Sequence, residues 1–223
     1  MALFAERGLD AVSLSEINRA AGQRNASALQ YHFGGREGLL RAILAPYATA
    51  IRDRRRELIA DALLPSTGDD ATPMRRAAEV LVRPQAELGA GDWRDRALSR
   101  IVADLFTDPH HPYAEFDDLL GERATTEMAH LLTAALAHLP AEVRAERLRV
   151  ASTFVVHAAS DRARQVDAAA RANGLADPVS PTDLFVENLV DRVVGALSAP
   201  VGRTTIARSV PNGRSWSGAA RGR

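Results

Sequence analysis

The chain has 223 residues, 46% of them apolar and 25% charged, with 28 basic residues balanced by 28 acids. It has no cysteine, which excludes disulfides and thiolate zinc sites. No apolar run nears the roughly 18 residues of a membrane span and no signal-peptide pattern opens the chain, so a cytoplasmic location is expected. All 28 basic residues are arginine, a bias of the whole chain, so an arginine at one site expresses no choice over lysine. The charge is uneven: residues 1–60 hold 9 arginines against 6 acids, residues 61–199 hold 14 against 22, and residues 200–223 hold 5 against none. A mildly basic head on an acidic body fits a protein that presents its N-terminal part to a polyanion.

Helical spacing runs through nearly every segment, and no stretch shows sustained two-residue alternation, so the fold is expected to be all-α. Ser13 to Phe33 reads as two short helices joined by a tight glycine turn, a spacing that can place the second helix in a DNA major groove. Ser13 and Glu16 form a capping-box pair at the start of the first helix. Leu14, Ile17, Ala20 and Ala21 give it an apolar face, and Gly22 supplies a residue that tolerates positive φ. Leu29 and Phe33, four apart, are expected to dock inward. Ser27, Gln30 and Tyr31 are then left outward, where such side chains hydrogen-bond base edges or phosphates.

Gly34-Gly35 ends this unit. A helix follows from Arg36 with Leu39, Leu40, Ile43 and Leu44 inward, and Pro46 is expected to kink or divide it. The charged run to Leu64 continues the helix until Pro65. Further helices are expected over Pro73–Leu88 with an interruption at Pro84, from an Asp92 cap to Thr107, over Tyr113–Leu139, and over Ala141–Asn173. The sequence Asp108-Pro-His-His-Pro112 reads as a loop. Ser180-Pro181 followed by Asp183 reads as a cap, a first-turn proline and a first-turn carboxylate. The last helix carries Leu184, Val186, Leu189, Val190, Val193, Val194 and Leu197. So wide an apolar surface is expected to bury against a second subunit, with the intrachain core as the alternative. The tail from residue 200 is rich in Gly, Ser and Arg and is expected to be disordered.

The run LFAERGLDAVSLSEINRAAG, followed by YHFGGREGLLRAIL, resembles the N-terminal DNA-binding domain of the TetR family of transcriptional regulators. Three domains are expected: a helix-turn-helix domain over 1–45, a helical ligand-binding and dimerisation domain over 46–199, and the tail over 200–223. The resemblance implies a homodimer, a palindromic double-stranded operator and a small-molecule effector. It places Ser13 at a helix-2 cap that touches phosphate. Arg24, Asn25, Ser27, Gln30 and Tyr31 fall where family members contact bases and backbone, and Arg36 falls on a basic position that grips phosphate at the start of helix 4. Gln30 is the best base reader, since its amide can pair bidentately with adenine. The chain departs from the pattern in three ways. The turn QRNAS is one residue longer than usual, and Gly35 replaces a Ser or Thr cap while Gly38 weakens the same turn by roughly 1 kcal/mol against Ala. Met1 also falls within the last turns of helix 1, so that helix is read as truncated and the native start is expected upstream.

An enzyme is the rival class. Asp117-Asp118 with Glu115 is similar to an acidic metal-diphosphate site but lacks the third spaced acid. His110-His111 reads as solvent-facing, and His157 as an interior hydrogen-bonded residue or a cavity liner. No nucleophile–base pairing or glycine-rich phosphate loop is present, so no catalytic residue, cofactor or metal is expected. The reading is a sequence-specific DNA-binding regulator, a ligand-responsive repressor acting as a homodimer. Its alternative is an all-α dimer that binds a small molecule or protein and has lost DNA binding.

Overall fold

Helices are the only regular structure among the residues described by the computed structural model, which are 1–22, 28–64, 72–107, 122–172 and 179–209. They are α1 (Ala2–Arg7), α2 (Leu14–Ala20), α3 (Ala28–Phe33), α4 (Arg36–Ala62), α5 (Pro73–Gly89), α6 (Trp93–Thr107), α7 (Glu122–Ala135), α8 (Ala141–Arg171), α9 (Thr182–Ser198) and α10 (Arg203–Ser209). The expected all-α class, a small helix-turn-helix domain ahead of a larger helical region, is what the chain adopts. The loop at 108–112, the acids at 115–118 and residues 113–121 of the expected Tyr113–Leu139 helix lie outside the described residues.

Six residues are too few to hold a helix alone. α1 is held by tertiary packing: Phe4 is fully buried, with Met1, Leu3 and Ala5 packed around the same core. α4 is one helix of 27 residues that passes through Pro46 without dividing, and through the 45/46 boundary. Pro46 lies on the exposed face, where water can satisfy the carbonyl that its missing N–H leaves unbonded. Leu44, Tyr47, Ala48 and Ile51 are buried on the opposite face. α5 likewise runs unbroken through Pro84, which is itself buried. Asp92 caps α6 as expected, its Oδ1 accepting from the N–H groups of Arg94 at 2.7 Å and Asp95 at 3.1 Å.

The apolar faces assemble two main cores. The first joins Phe4, Leu9, Val12, Leu40, Leu44 and Ile51 to Leu98, Ile101, Val102 and Leu105 of α6 and Val156 of α8. The second is built from α5, α7, α8 and α9. α6 thus carries the N-terminal unit on the body, and α8 touches both cores. Tyr47 donates to the buried Gln85 amide oxygen, while Arg54 grips Glu87 at 2.9 and 3.1 Å, so α4 and α5 are also locked by polar contacts.

Several expectations change. The apolar stripe of α9 is intrachain core: Val186, Leu189, Val190, Val193 and Leu197 are buried against α5 and its neighbours, leaving Leu184 exposed. Ser180 does not cap α9, whose N-cap is Pro181 with no side-chain cap. Its hydroxyl and carbonyl accept from Arg162 instead. Ala20 and Ala21 are exposed, since Leu14 and Ile17 are the apolar residues of α2 that reach the core, beside the buried Asn18. The tail is helical over Arg203–Ser209, anchored where Val201 packs on the second core, and residues 210–223 lie outside the described residues.

Candidate nucleic-acid interface

Ser13 closes the capping box that its spacing implies. Its Oγ accepts from the Glu16 N–H at 3.2 Å, and its own N–H donates to Glu16 Oε2 at 2.9 Å. The Ser13 hydroxyl also lies 2.9 Å from that carboxylate oxygen and donates to it. Arg7 Nη1 donates to Glu16 Oε1 at 3.0 Å, which ties α1 to the start of α2. The Ser13 backbone N–H, its hydroxyl and the Arg7 guanidinium, in that order, hold the Glu16 carboxyl down at about 2 from an ordinary 4.5. A carboxyl depressed in this way stabilises the fold fully above its unfolded value and loses that contribution as pH falls from about 4.5 towards 2. Thermal midpoints of the parent and Glu16→Gln should therefore differ at neutral pH and converge across that acid window. Parallel curves would remove Glu16 as the cap.

α3 packs between α2 and α4 with Leu29 against the first core. Gln30 and Tyr31 face outward, Tyr31 at 85% exposure. Gln30 Nε2 donates to the Gly34 carbonyl at 3.1 Å, a surface bond that fixes the amide beside the end of the helix. Phe33, expected inward, is 37% exposed because it is the last residue of α3 and lies at the edge of the packing. Gly22 takes φ 67, the left-handed conformation that a turn after α2 requires. Arg24, Asn25 and Ser27 lie outside the described residues.

Arg36, expected to grip phosphate, is engaged within the protein. Its Nη1 donates to the Val12 carbonyl at 2.7 Å, its Nη2 donates to the Leu9 carbonyl, and its guanidinium carbon lies 5.1 Å from the Phe4 ring centre. The side chain therefore clamps the α1–α2 connection to the start of α4. Gly35, the N-cap of α4, supplies no side-chain cap. At Gly38, a Cβ would fall inside the Phe33 carbonyl oxygen, so α3 and α4 approach to a distance only glycine permits. Sequence reasoning counted Gly38 as a helix weakener, and its close contact with a residue five positions back gives no signal in propensity.

Two cavities lie farther from this surface. One of about 700 Å³ is lined by Arg56, Ile59, Ala60 and Leu63 of α4 with Glu127, His130, Leu131 and Ala134 of α7. The other, about 430 Å³, lies between α8 and α9. His157, read as interior, is exposed on α8 with Nδ1 3.0 Å from the Thr153 carbonyl. Sequence patterns gave no pointer to Arg56, Glu127 or His130, because a pocket wall assembled from two helices has no single-helix spacing. Among the described residues no group of three or more His, Asp or Glu is placed to hold a metal, and no helix is long and apolar enough to cross a membrane.

A capped α2, an outward-facing α3 and a bracing α4 together define a helix-turn-helix DNA-binding protein. Residues 1–43 match the family described as bacterial regulatory proteins, tetR family, so the chain carries the DNA-binding domain of TetR-type transcriptional regulators at its N-terminal end. No curated protein and no solved structure matches the chain.

Proposed function

We propose that this chain is a ligand-responsive repressor that binds a palindromic operator as a homodimer. The observation that carries the reading is the exposed outer face of α3, held at one end of a continuous α4 whose other end forms a cavity wall. At 1.5 Å per residue α4 is about 40 Å long, so one rigid element touches both sites. An effector in the α4–α7 cavity that favours one placement of α4 would thereby change the spacing of two recognition helices. The division at about residue 45 is proposed in the same sense, as a DNA-reading head and an effector-binding body that share α4.

Gln30 and Tyr31 are proposed to meet bases and backbone, together with Arg24, Asn25 and Ser27, which precede them in sequence. Ser13 acts through the cap, its hydroxyl already committed to Glu16, and Arg36 acts by positioning the unit. Support for a homodimer comes from Val150 and Phe154, four apart on α8, and Leu184 on α9, which are 51%, 40% and 57% exposed. Exposed apolar side chains on adjoining helices fit a protein contact.

A gel shift with the DNA flanking the gene tests the reading. Gln30→Ala should weaken binding to the specific duplex by about tenfold, the value of a lost bidentate base contact, and leave random duplex unchanged. Equal loss on both duplexes removes Gln30 as a base reader, and absence of specific binding by the parent rejects the operator proposal.

A further inference from the structure

Gln30 is joined to the turn between α3 and α4 at two points. The Gly34 N–H donates to the Gln30 carbonyl at 3.0 Å, and Gln30 Nε2 donates back to the Gly34 carbonyl at 3.1 Å. A carbonyl oxygen only accepts, so the end of the amide that meets it is the NH2 group, which fixes which way the amide faces. The turn leaves room for this contact because Gly35 has no side chain: a Cβ there would lie 3.3 Å from Gln30 Oε1. The turn is itself held in place, since Gly38 lets α4 close on the Phe33 carbonyl immediately before it. Gln30 is exposed, so the rest of its amide is open to a partner.

This latch changes what the amide can read. An unattached glutamine offers two N–H donors and a carbonyl acceptor. With one N–H held by Gly34, Gln30 presents one donor and one acceptor. In the major groove adenine shows the complementary pair, the N7 acceptor and the N6 amino donor. Guanine shows two acceptors, N7 and O6, and bidentate pairing with them needs two donors. We propose that the Gly34 carbonyl is the specificity-determining group of α3: by holding one N–H of Gln30 it admits adenine and excludes bidentate pairing with guanine. Gly35 is a positioning residue, whose missing side chain lets the latch close. The base preference rests on the reading of Gln30 as a base reader, whereas the latch does not.

Two measurements on the full chain test this. With glutamine labelled by nitrogen-15, magnetic resonance should show one of the two Gln30 amide protons protected from exchange with water; two protons exchanging alike overturn the latch. Selection from a randomised duplex library should then enrich adenine over guanine by about tenfold or more at the position where Gln30→Ala erases the preference. Gly35→Ala, which crowds the amide, should cut that adenine-to-guanine ratio by about tenfold. Gly34→Ala is the control for a side chain at positive φ, since its Cβ meets nothing within 4 Å and the carbonyl stays; it should keep the parental ratio. Where Gly35→Ala fails to fold, the parent decides by itself: guanine enriched at the position governed by Gln30 overturns the proposal. A folded Gly35→Ala with the parental ratio also overturns it. If Gln30→Ala alters the preference at no position, the base-reader reading falls and the proposal with it. If Gln30 governs a position that takes guanine, that reading stands and this proposal alone falls.

Discussion

Arg36→Ala should destabilise the N-terminal unit by about 3 kcal/mol, because two charge-assisted hydrogen bonds to carbonyls are each worth roughly 1.5–3 kcal/mol. The acceptors are the backbone carbonyls of Leu9 and Val12, two residues whose side chains are buried in the first core. Removing the guanidinium leaves both carbonyls without it and uncovers the Phe4 ring, so α1 and the connection to α2 lose their attachment to α4. Urea unfolding should show the loss, and hydrogen exchange should place it in residues 1–12 first. Where the variant remains folded, the salt dependence of DNA binding should match the parent. A variant of parental stability whose binding slope is shallower by about one phosphate contact would instead return Arg36 to the DNA backbone.

Gly38→Ala should reverse the sign that helix propensity assigns. Propensity alone predicts a gain of roughly 1 kcal/mol for alanine within a helix. The added methyl would collide with the Phe33 carbonyl oxygen, and a backbone atom cannot rotate away as a side chain can. Overpacking of this kind costs about 1–3 kcal/mol or more, and the strain is relieved by moving α3 off α4. Since α3 carries Gln30 and Tyr31, specific DNA affinity should fall by about tenfold or more, while the second core, built from α5, α7, α8 and α9, keeps its melting behaviour. A stabilised variant with parental DNA affinity would show that the α3–α4 approach is not needed for recognition.

The recognition unit was legible wherever its physics is local. The Ser13–Glu16 pair lies three residues apart on one turn, Gly22 sits at a helix end, and Gln30 and Tyr31 fall opposite Leu29 on a short helix. Each follows from the 3.6-residue period and cap chemistry alone. The readings that failed concern partners distant in sequence. Phe33, Ala20 and Ala21 have apolar side chains at plausible spacing, yet the neighbouring helices do not extend far enough to cover them. The stripe of α9 was visible as a stripe, but only the placement of α5 decided that it faces its own chain.

By itself, the sequence determined that this protein is helical, where most of its helices begin, and that its first 43 residues carry a TetR-type DNA-binding domain. Periodicity and capping encode these within a few residues of chain. Tertiary structure alone decided that Arg36 hydrogen-bonds the Leu9 and Val12 carbonyls and that Gly38 sets the distance between α3 and α4. Those outcomes depend on which atoms from remote segments arrive at the same place, and a guanidinium is written identically in sequence whether it meets a carbonyl, a carboxylate or water.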